Sequence, residues 1–432
     1  MKIFSETDIH YDEILAQMNR RFLPSGEVRD IVADIIDDVS RRGDEALADY
    51  ARRFDHVVLE PSALRITPEE MQAACAAVSE EVKEAVEASL HNIHYFARNS
   101  LRTDWSGVNA QGCKVGERFV PYDRIGIYIP GGKAPLVSTA LMTGGFAQAA
   151  GVSQIVAVTP CGADGKVNAN VLYALQEAGA AEIYRIGGAQ AVAALALGTA
   201  SIAPVRKIFG PGNRFVVEAK RQLMGTVAID LLPGPSEVMV LADATANPVF
   251  VAADLLAQAE HGSDSVIALV TTSETLMESV QNEIKIQSAT LSRGSIVKAV
   301  LDEHAVGVLV PDLKAGARLA NSFAPEHLVL IVDQAAEEEI LDSIATAGAI
   351  YVGNYSTVAC GDFLAGPSHT LPTGGSGKSF SGIRADQFQR RTSIVRMDKA
   401  AAERSLPYVS AFARVEGLDA HGRSLALRVN DQ

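Results

Sequence analysis

Two Rossmann-like, doubly wound parallel-sheet units, with small helical segments at the two ends, are what this 432-residue α/β sequence predicts. Three observations lead there. Short β-branched runs alternate with alanine-rich helical stretches, the pattern of strands buried on both faces and joined by crossover helices. The alternation runs once over residues 125–230 and then starts again. The chain also exceeds the roughly 250–300 residues at which one hydrophobic core stops growing.

In chain order, residues 1–25 read as a tail. Val28, Ile31, Val32, Ile35, Ile36 and Val39 then recur at helical spacing, and Arg41, Arg42 and Gly43 mark a stop. Residues 68–98 form a second helical run, whose stripe of Met71, Cys75, Val78, Val82 and Val86 reads as core. IGIYIP (125–130), VSQIVAVTP (152–160), AEIYRIGG (181–188), VRKIFGP (205–211) and GTVAID (225–230) are predicted strands. Helices are expected between them over 138–150, 168–178, 190–197 and 213–223. In the second unit the strands are SVIALVTT (265–272), AVGVLVP (305–311), HLVLIV (327–332) and GAIYVGN (348–354), with helices near 249–260, 273–287, 315–322 and 335–347. Residues 364–382, rich in Gly, Pro, Ser and Thr, are too many for a simple connection and read as a functional loop or a boundary. The expected division is a tail over 1–25; a discontinuous first α/β domain of 26–125, its helical part, with 238–381; a second α/β domain of 126–237; and a helical tail over 382–432.

Composition narrows the function. Hydrophobic residues at 48% and charged residues at 21% are those of a folded chain, and a formal charge of −14 disfavours nucleic acid and anionic membranes as partners. Cys75, Cys113, Cys161 and Cys360 form no C-x-x-C pair, which suits a reducing compartment. The N-terminus lacks an apolar signal region, and no apolar run reaches the roughly 18 residues of a membrane helix. A soluble, cytoplasmic protein is expected.

Several residues are able to carry chemistry. Gln258 and His261 lie three apart on one helix face, where they hold either an ion or simply a histidine at the helix C-terminus. Glu326 and His327 precede a strand in APEHL, as an acid–base couple or a structural ion pair. Asp362 and His369 flank the glycine-rich loop, and His421 sits near the C-terminus. Carboxylate and imidazole are donors that zinc accepts, although a lone loop histidine is usually only solvated. GPGN (210–213) and GPSE (234–237) follow predicted strands, where glycines permit close approach of a ligand or serve tight turns. No G-x-G-x-x-G fingerprint or P-loop occurs.

The segments RIGIYIPGG, IGGAQAVAALALGT, KIFGPGNRFVVEAKRQ, GPSEVMVLAD, DLLAQAEHGSDS, APEHL, AGAIYVGN, GDFLAGPSHTLPTGG and AHGRSLALRVN together resemble the histidinol dehydrogenase family, over nearly the whole chain. The resemblance implies zinc held by Gln258, His261, Asp362 and His421, the last supplied across a homodimer by a swapped tail. It implies acid–base roles for Glu326 and His327, and two NAD consumed in oxidising L-histidinol through the aldehyde to L-histidine. Ser236, His369 and Glu416 match substrate-contacting positions, as do the metal-ligand and acid–base residues, while Tyr128, Gln190 and Asn213 match cofactor-contacting ones. The chain departs from the usual pattern after LPTGG, where it reads SGKSFSG, and at Ser368, where asparagine is common. A related zinc and NAD dehydrogenase of another small polar alcohol, such as a sulfonated diol, is the alternative enzyme. A non-catalytic metal-binding module is the alternative outside enzymes, and the presence of both Glu326 and His327 argues against it.

Overall fold

The computed structural model describes residues 1–5, 12, 25–131 and 135–430. Its strands are β1 (Lys2–Ser5), β2 (Trp105–Val108), β3 (Lys114–Pro121), β4 (Arg124–Tyr128), β5 (Gln154–Val158), β6 (Ala180–Tyr184), β7 (Lys207–Phe209), β8 (Ala228–Ile229), β9 (Glu237–Ala242), β10 (Val266–Thr271), β11 (Ala305–Leu309), β12 (His327–Ile331), β13 (Ala349–Val352) and β14 (Gln389–Arg396). Two sheets are parallel: one of five strands in the order β6-β5-β4-β7-β8, and one of six in the order β1-β11-β10-β9-β12-β13. The doubly wound α/β class expected from the sequence is therefore what the chain adopts.

Each parallel sheet is covered on both faces. In the five-stranded sheet, Ile125, Ile127, Ile155 and Ala157 point into one apolar cluster, and Tyr128, Val156 and Val158 into the other. That period of two, with apolar residues on both faces, produces the unbroken hydrophobic runs seen in the sequence. The six-stranded sheet does the same, with Val238, Val240, Val329 and Ile331 on one face and Met239, Leu241, Leu328 and Leu330 on the other.

Several expectations change. The helical segment grouped with 238–381 instead covers the five-stranded sheet. Val28, Val32, Ile35 and Val39 of the helix Gly26–Arg42 join one of its clusters, and Val86, Leu90, Ile93 and Ala97 of the helix Glu80–Ser100 join the other. An amphipathic stripe says that a helix packs on something apolar, but not on which of two similar sheets. Residues 2–5, expected within a tail, form an edge strand paired with β11, and the central strand β9 was not among the predicted strands. Its sequence EVMVLA is buried at every position, so no alternation marks it. The helical run of 68–98 is two helices, Pro68–Ala77 and Glu80–Ser100, divided where Ser79 caps the second.

The tail over 382–432 is not wholly helical. β14 pairs antiparallel with β3, which pairs with β2, in a third sheet. Gly116 is needed in β3 because a Cβ there would collide with the carbonyl oxygen of Trp105. Beyond it the helices Lys399–Glu416 and Asp419–Asn430 pack mainly on each other, and Tyr408, Phe412, Val415 and Leu427 remain exposed. No described helix is long and apolar enough to cross a membrane.

Candidate active site

The cleft is built from opposite ends of the two parallel sheets. From the five-stranded sheet come the segments that leave the carboxyl ends of β4 and β7, with Pro130, Leu136, Thr139, Pro211 and Gly212 in the wall. From the six-stranded sheet come the amino ends of β9 and β12, with Ser236, Glu326 and His327. Gln258, His261, Asp362 and His369 complete a cavity of about 300 Å³.

Helix ends place the side chains that could hold a cation. The helix Pro248–Ala259 starts at Asn247, whose Oδ1 accepts from Val249 N–H. As the crossover between the parallel strands β9 and β10 it runs back along the sheet, so its C-terminal turn delivers Gln258 to the cleft and His261 just beyond. The helix Val358–Phe363, capped by Thr357, delivers Asp362 from its own C-terminal turn. Both side-chain amide atoms of Gln258 and Oδ1 of Asp362 are buried without a hydrogen-bond partner. Such orphaned atoms are costly unless something else satisfies them, and a cation at a helix C-terminus is electrostatically favoured. Burial alone pushes the Asp362 carboxyl up to about 7.

Glu326 and His327 stand at a strained junction. Ala324 ends the helix Leu313–Phe323 in the left-handed region at φ 56°, and Pro325 prevents any further helical turn, so the chain enters β12 at once. Gly348 has to be glycine-sized there, because a Cβ would lie 2.6 Å from the carbonyl oxygen of Glu326. Glu326 Oε2 accepts the backbone N–H of Glu237 at 2.8 Å, and Oε1 lies 3.8 Å from His327 Nε2. Burial drives the two in opposite senses: the Glu326 carboxyl is pushed well above its ordinary value, and His327 is pushed down to about 3, with His369 and His261 adding to the effect. Burial thus disfavours charge on either group, and the couple is not a surface-type ion pair.

His369 is engaged at both ring nitrogens. Nδ1 is 3.0 Å from the carbonyl oxygen of Asp362, which only accepts, so Nδ1 carries the proton and donates. Nε2, 3.2 Å from Thr139 Oγ1, is then the acceptor. Tyr128, Gln190 and Asn213 follow or end strands of the five-stranded sheet. The Tyr128 hydroxyl accepts the Gly188 N–H at 3.1 Å, Gln190 is buried in the first turn of the helix Gly188–Leu197, and Asn213 caps the helix Arg214–Leu223. The GPGN turn is held from below by buried Lys220, which donates to the Gly210 carbonyl at 2.9 Å and pairs with Asp230.

Of the residues singled out from sequence, Ser236, Gln258, His261, Glu326, His327, Asp362 and His369 meet in this cleft. Glu416 and His421 do not: they are exposed on the C-terminal helices, and neither lines the cleft of their own chain. Among the described residues of the single chain, no three His, Cys, Asp or Glu side chains group as a metal site. Sequence reasoning passed over Tyr351, Thr139 and the backbone role of Glu237. None of the three carries a local signal, because each meets the site through the pairing or packing of segments far apart in sequence.

Strand ends that enclose a buried carboxyl beside a neutral imidazole, with unsatisfied polar atoms opposite, are the architecture of an α/β enzyme. The histidinol dehydrogenase family model matches residues 18–429. The histidinol dehydrogenase of Syntrophotalea carbinolica is 40% identical over 432 residues, covering 100% of both chains, and that of Geobacillus kaustophilus is 42% identical over 412 residues, covering 95% of this chain and 96% of the other. The crystal structure of histidinol dehydrogenase from Elizabethkingia anophelis superposes with a TM-score of 0.95 at 35% identity, covering 99% of this chain and 98% of that one. The chain belongs to the histidinol dehydrogenase family and is an oxidoreductase of that kind, acting on a small molecule in histidine biosynthesis.

Proposed function

We propose that the cleft oxidises L-histidinol through L-histidinaldehyde to L-histidine, with one zinc ion per subunit and two NAD per substrate. The observation that carries the reading is the convergence of Gln258, His261 and Asp362, with their orphaned buried atoms, on the Glu326–His327 couple. Amide oxygen, imidazole nitrogen and carboxylate oxygen are a donor set that fits zinc, and the partner subunit's His421 would complete it. When bound, zinc orients the substrate and polarises its hydroxyl, while NAD takes up the hydride.

His327, held neutral by burial, takes the hydroxyl proton in the first oxidation. In the second, Glu326 takes a proton from the water that adds to the aldehyde carbon, and the hydrated aldehyde gives up its hydride to become the carboxylate. The N–H that Glu237 donates to Glu326 favours the carboxylate form against burial. Ser236 and His369 contact the substrate, joined by the partner subunit's Glu416. Tyr128, Gln190 and Asn213 line the dinucleotide side, where the N-terminus of the helix Arg214–Leu223 suits an anionic group. The homodimer is supported by the exposed Tyr408, Phe412, Val415 and Leu427 on two helices that bury little against their own chain.

Steady-state NADH formation from L-histidinol with zinc present tests the reading, with two NADH expected per substrate consumed. Absence of NADH at millimolar histidinol would assign the site to another small polar alcohol. Deleting the residues after Leu406 should lower zinc content and rate together, and a shortened chain with full zinc and full rate would remove the partner subunit's His421 from the site.

A further inference from the structure

His327 opens β12, and the parallel register sets it opposite Ala349 of β13, with Val329 opposite Tyr351. Alternation then puts His327 and Tyr351 on one face of the sheet, one diagonal step apart, within reach of a long aromatic side chain. Ala349, directly across from His327, carries only a methyl group. The Tyr351 ring therefore leans over it, with ring centroids 5.7 Å apart and the hydroxyl 3.1 Å from His327 Nδ1. Its far side rests on Gly361, where a Cβ would collide with Tyr351 Cε1. The ring is thus wedged between His327 and the helix that carries Asp362, and its hydroxyl has little freedom to move away.

We propose that Tyr351 is a positioning residue that holds His327 in the Nδ1–H tautomer. This rests on the base role assigned to His327 above. A phenol hydroxyl can donate or accept, so the direction follows from the base role: with the lone pair on Nε2, the nitrogen on the Glu326 side of the ring, Nδ1 carries the proton and the tyrosine oxygen accepts it. When Nε2 takes the substrate's hydroxyl proton, the ring becomes an imidazolium that donates from both nitrogens, and the Nδ1–H keeps its acceptor throughout. Without the tyrosine oxygen a buried Nδ1–H has no acceptor, which favours the Nε2–H form beside Glu326. The Nε2–H form cannot accept a proton on the cleft side, so the loss falls on the proton-transfer step and not on substrate binding.

The test uses the zinc-loaded protein and its Tyr351→Phe variant, which keeps the ring and its seat on Gly361. Nitrogen-15 NMR of labelled histidine side chains, with His327→Asn to assign the signal, should find His327 as Nδ1–H in the parent and as Nε2–H or a mixture in Tyr351→Phe. The kcat for alcohol oxidation should fall roughly 10- to 100-fold, the loss expected for a hydrogen bond to a group that becomes charged. KM for alcohol and NAD, and zinc content, should stay at the parent level. An Nε2–H ring in the parent, or an unchanged kcat in Tyr351→Phe beside an inactive His327→Asn, would overturn the role of Tyr351 alone. Full turnover by His327→Asn would overturn the base role itself.

Discussion

The two parallel sheets share an architecture but meet the cleft with opposite ends. The five-stranded sheet obeys the general rule for such folds, since its cleft-facing loops leave the carboxyl ends of β4 and β7, on either side of the point where strand order reverses. The six-stranded sheet reverses its order between β9 and β12 but turns their amino ends to the cleft. Its own carboxyl-end crevice is tied by protein: Asp243 accepts from Thr245 N–H and from Asp333 N–H, both at 2.8 Å. What differs is the kind of group supplied. Carboxyl-end loops offer backbone and glycine turns suited to a cofactor, whereas the amino ends of buried strands and the C-terminal turns of their helices offer acid, base and cation donors.

The largest effect is expected at the six-stranded sheet. His327→Asn should reduce kcat by roughly 10²- to 10⁴-fold while zinc stays bound, which NADH formation and metal analysis would check together. Loss of zinc with activity would mean that the base and the cation donors are one unit. On the other side, Lys220→Met leaves Asp230 buried without its cation, and urea unfolding should show a loss of about 3–5 kcal/mol. KM for NAD should rise with it, since Gly210 loses the donor beneath its carbonyl. A higher KM for histidinol instead would assign the GPGN turn to the wrong ligand.

Glu326→Gln should separate the two oxidations, leaving one NADH per substrate and trapped aldehyde, with overall turnover down by roughly 100-fold. Both oxidations falling equally would remove the division of labour between Glu326 and His327. The smallest effect is expected at Asp55, which burial pushes up to about 6 and whose Oδ2 has no hydrogen-bond partner. Its folded value lies above the unfolded one, so the ionised form burdens the native state above pH 6 and the burden disappears as pH falls and the carboxyl takes a proton. Asp55→Asn should therefore stabilise the protein by about 1 kcal/mol at pH 8, after discounting for partial exposure, with the gain vanishing towards pH 4. Thermal melts at the two pH values decide it.

Much of the fold is legible in the residue pattern. Continuous apolar runs separated by glycine turns announce parallel strands, because a strand covered on both faces has no polar side to show. Gln258 and His261 do line one cleft, but the helix ends at Ala259 and His261 stands in the turn beyond it, so their nearness comes from chain proximity and not from a shared helix face. β9 escapes because six residues buried on every side carry no period to distinguish strand from helix. The antiparallel β14 is hidden too, because its mostly exposed residues take their strand form from pairing with β3, not from burial.

By itself, the order of residues determined the α/β class, the local helix faces and the residue types able to hold a cation or move a proton, all of which depend on neighbours a few positions away. Tertiary packing alone decided that the helices of residues 26–100 cover the five-stranded sheet, that Asp362 meets Gln258, and that Tyr351 reaches His327 across the small Ala349. Those outcomes depend on which sheets and strands lie side by side, and a side chain's own pattern records that it will be buried without recording against what.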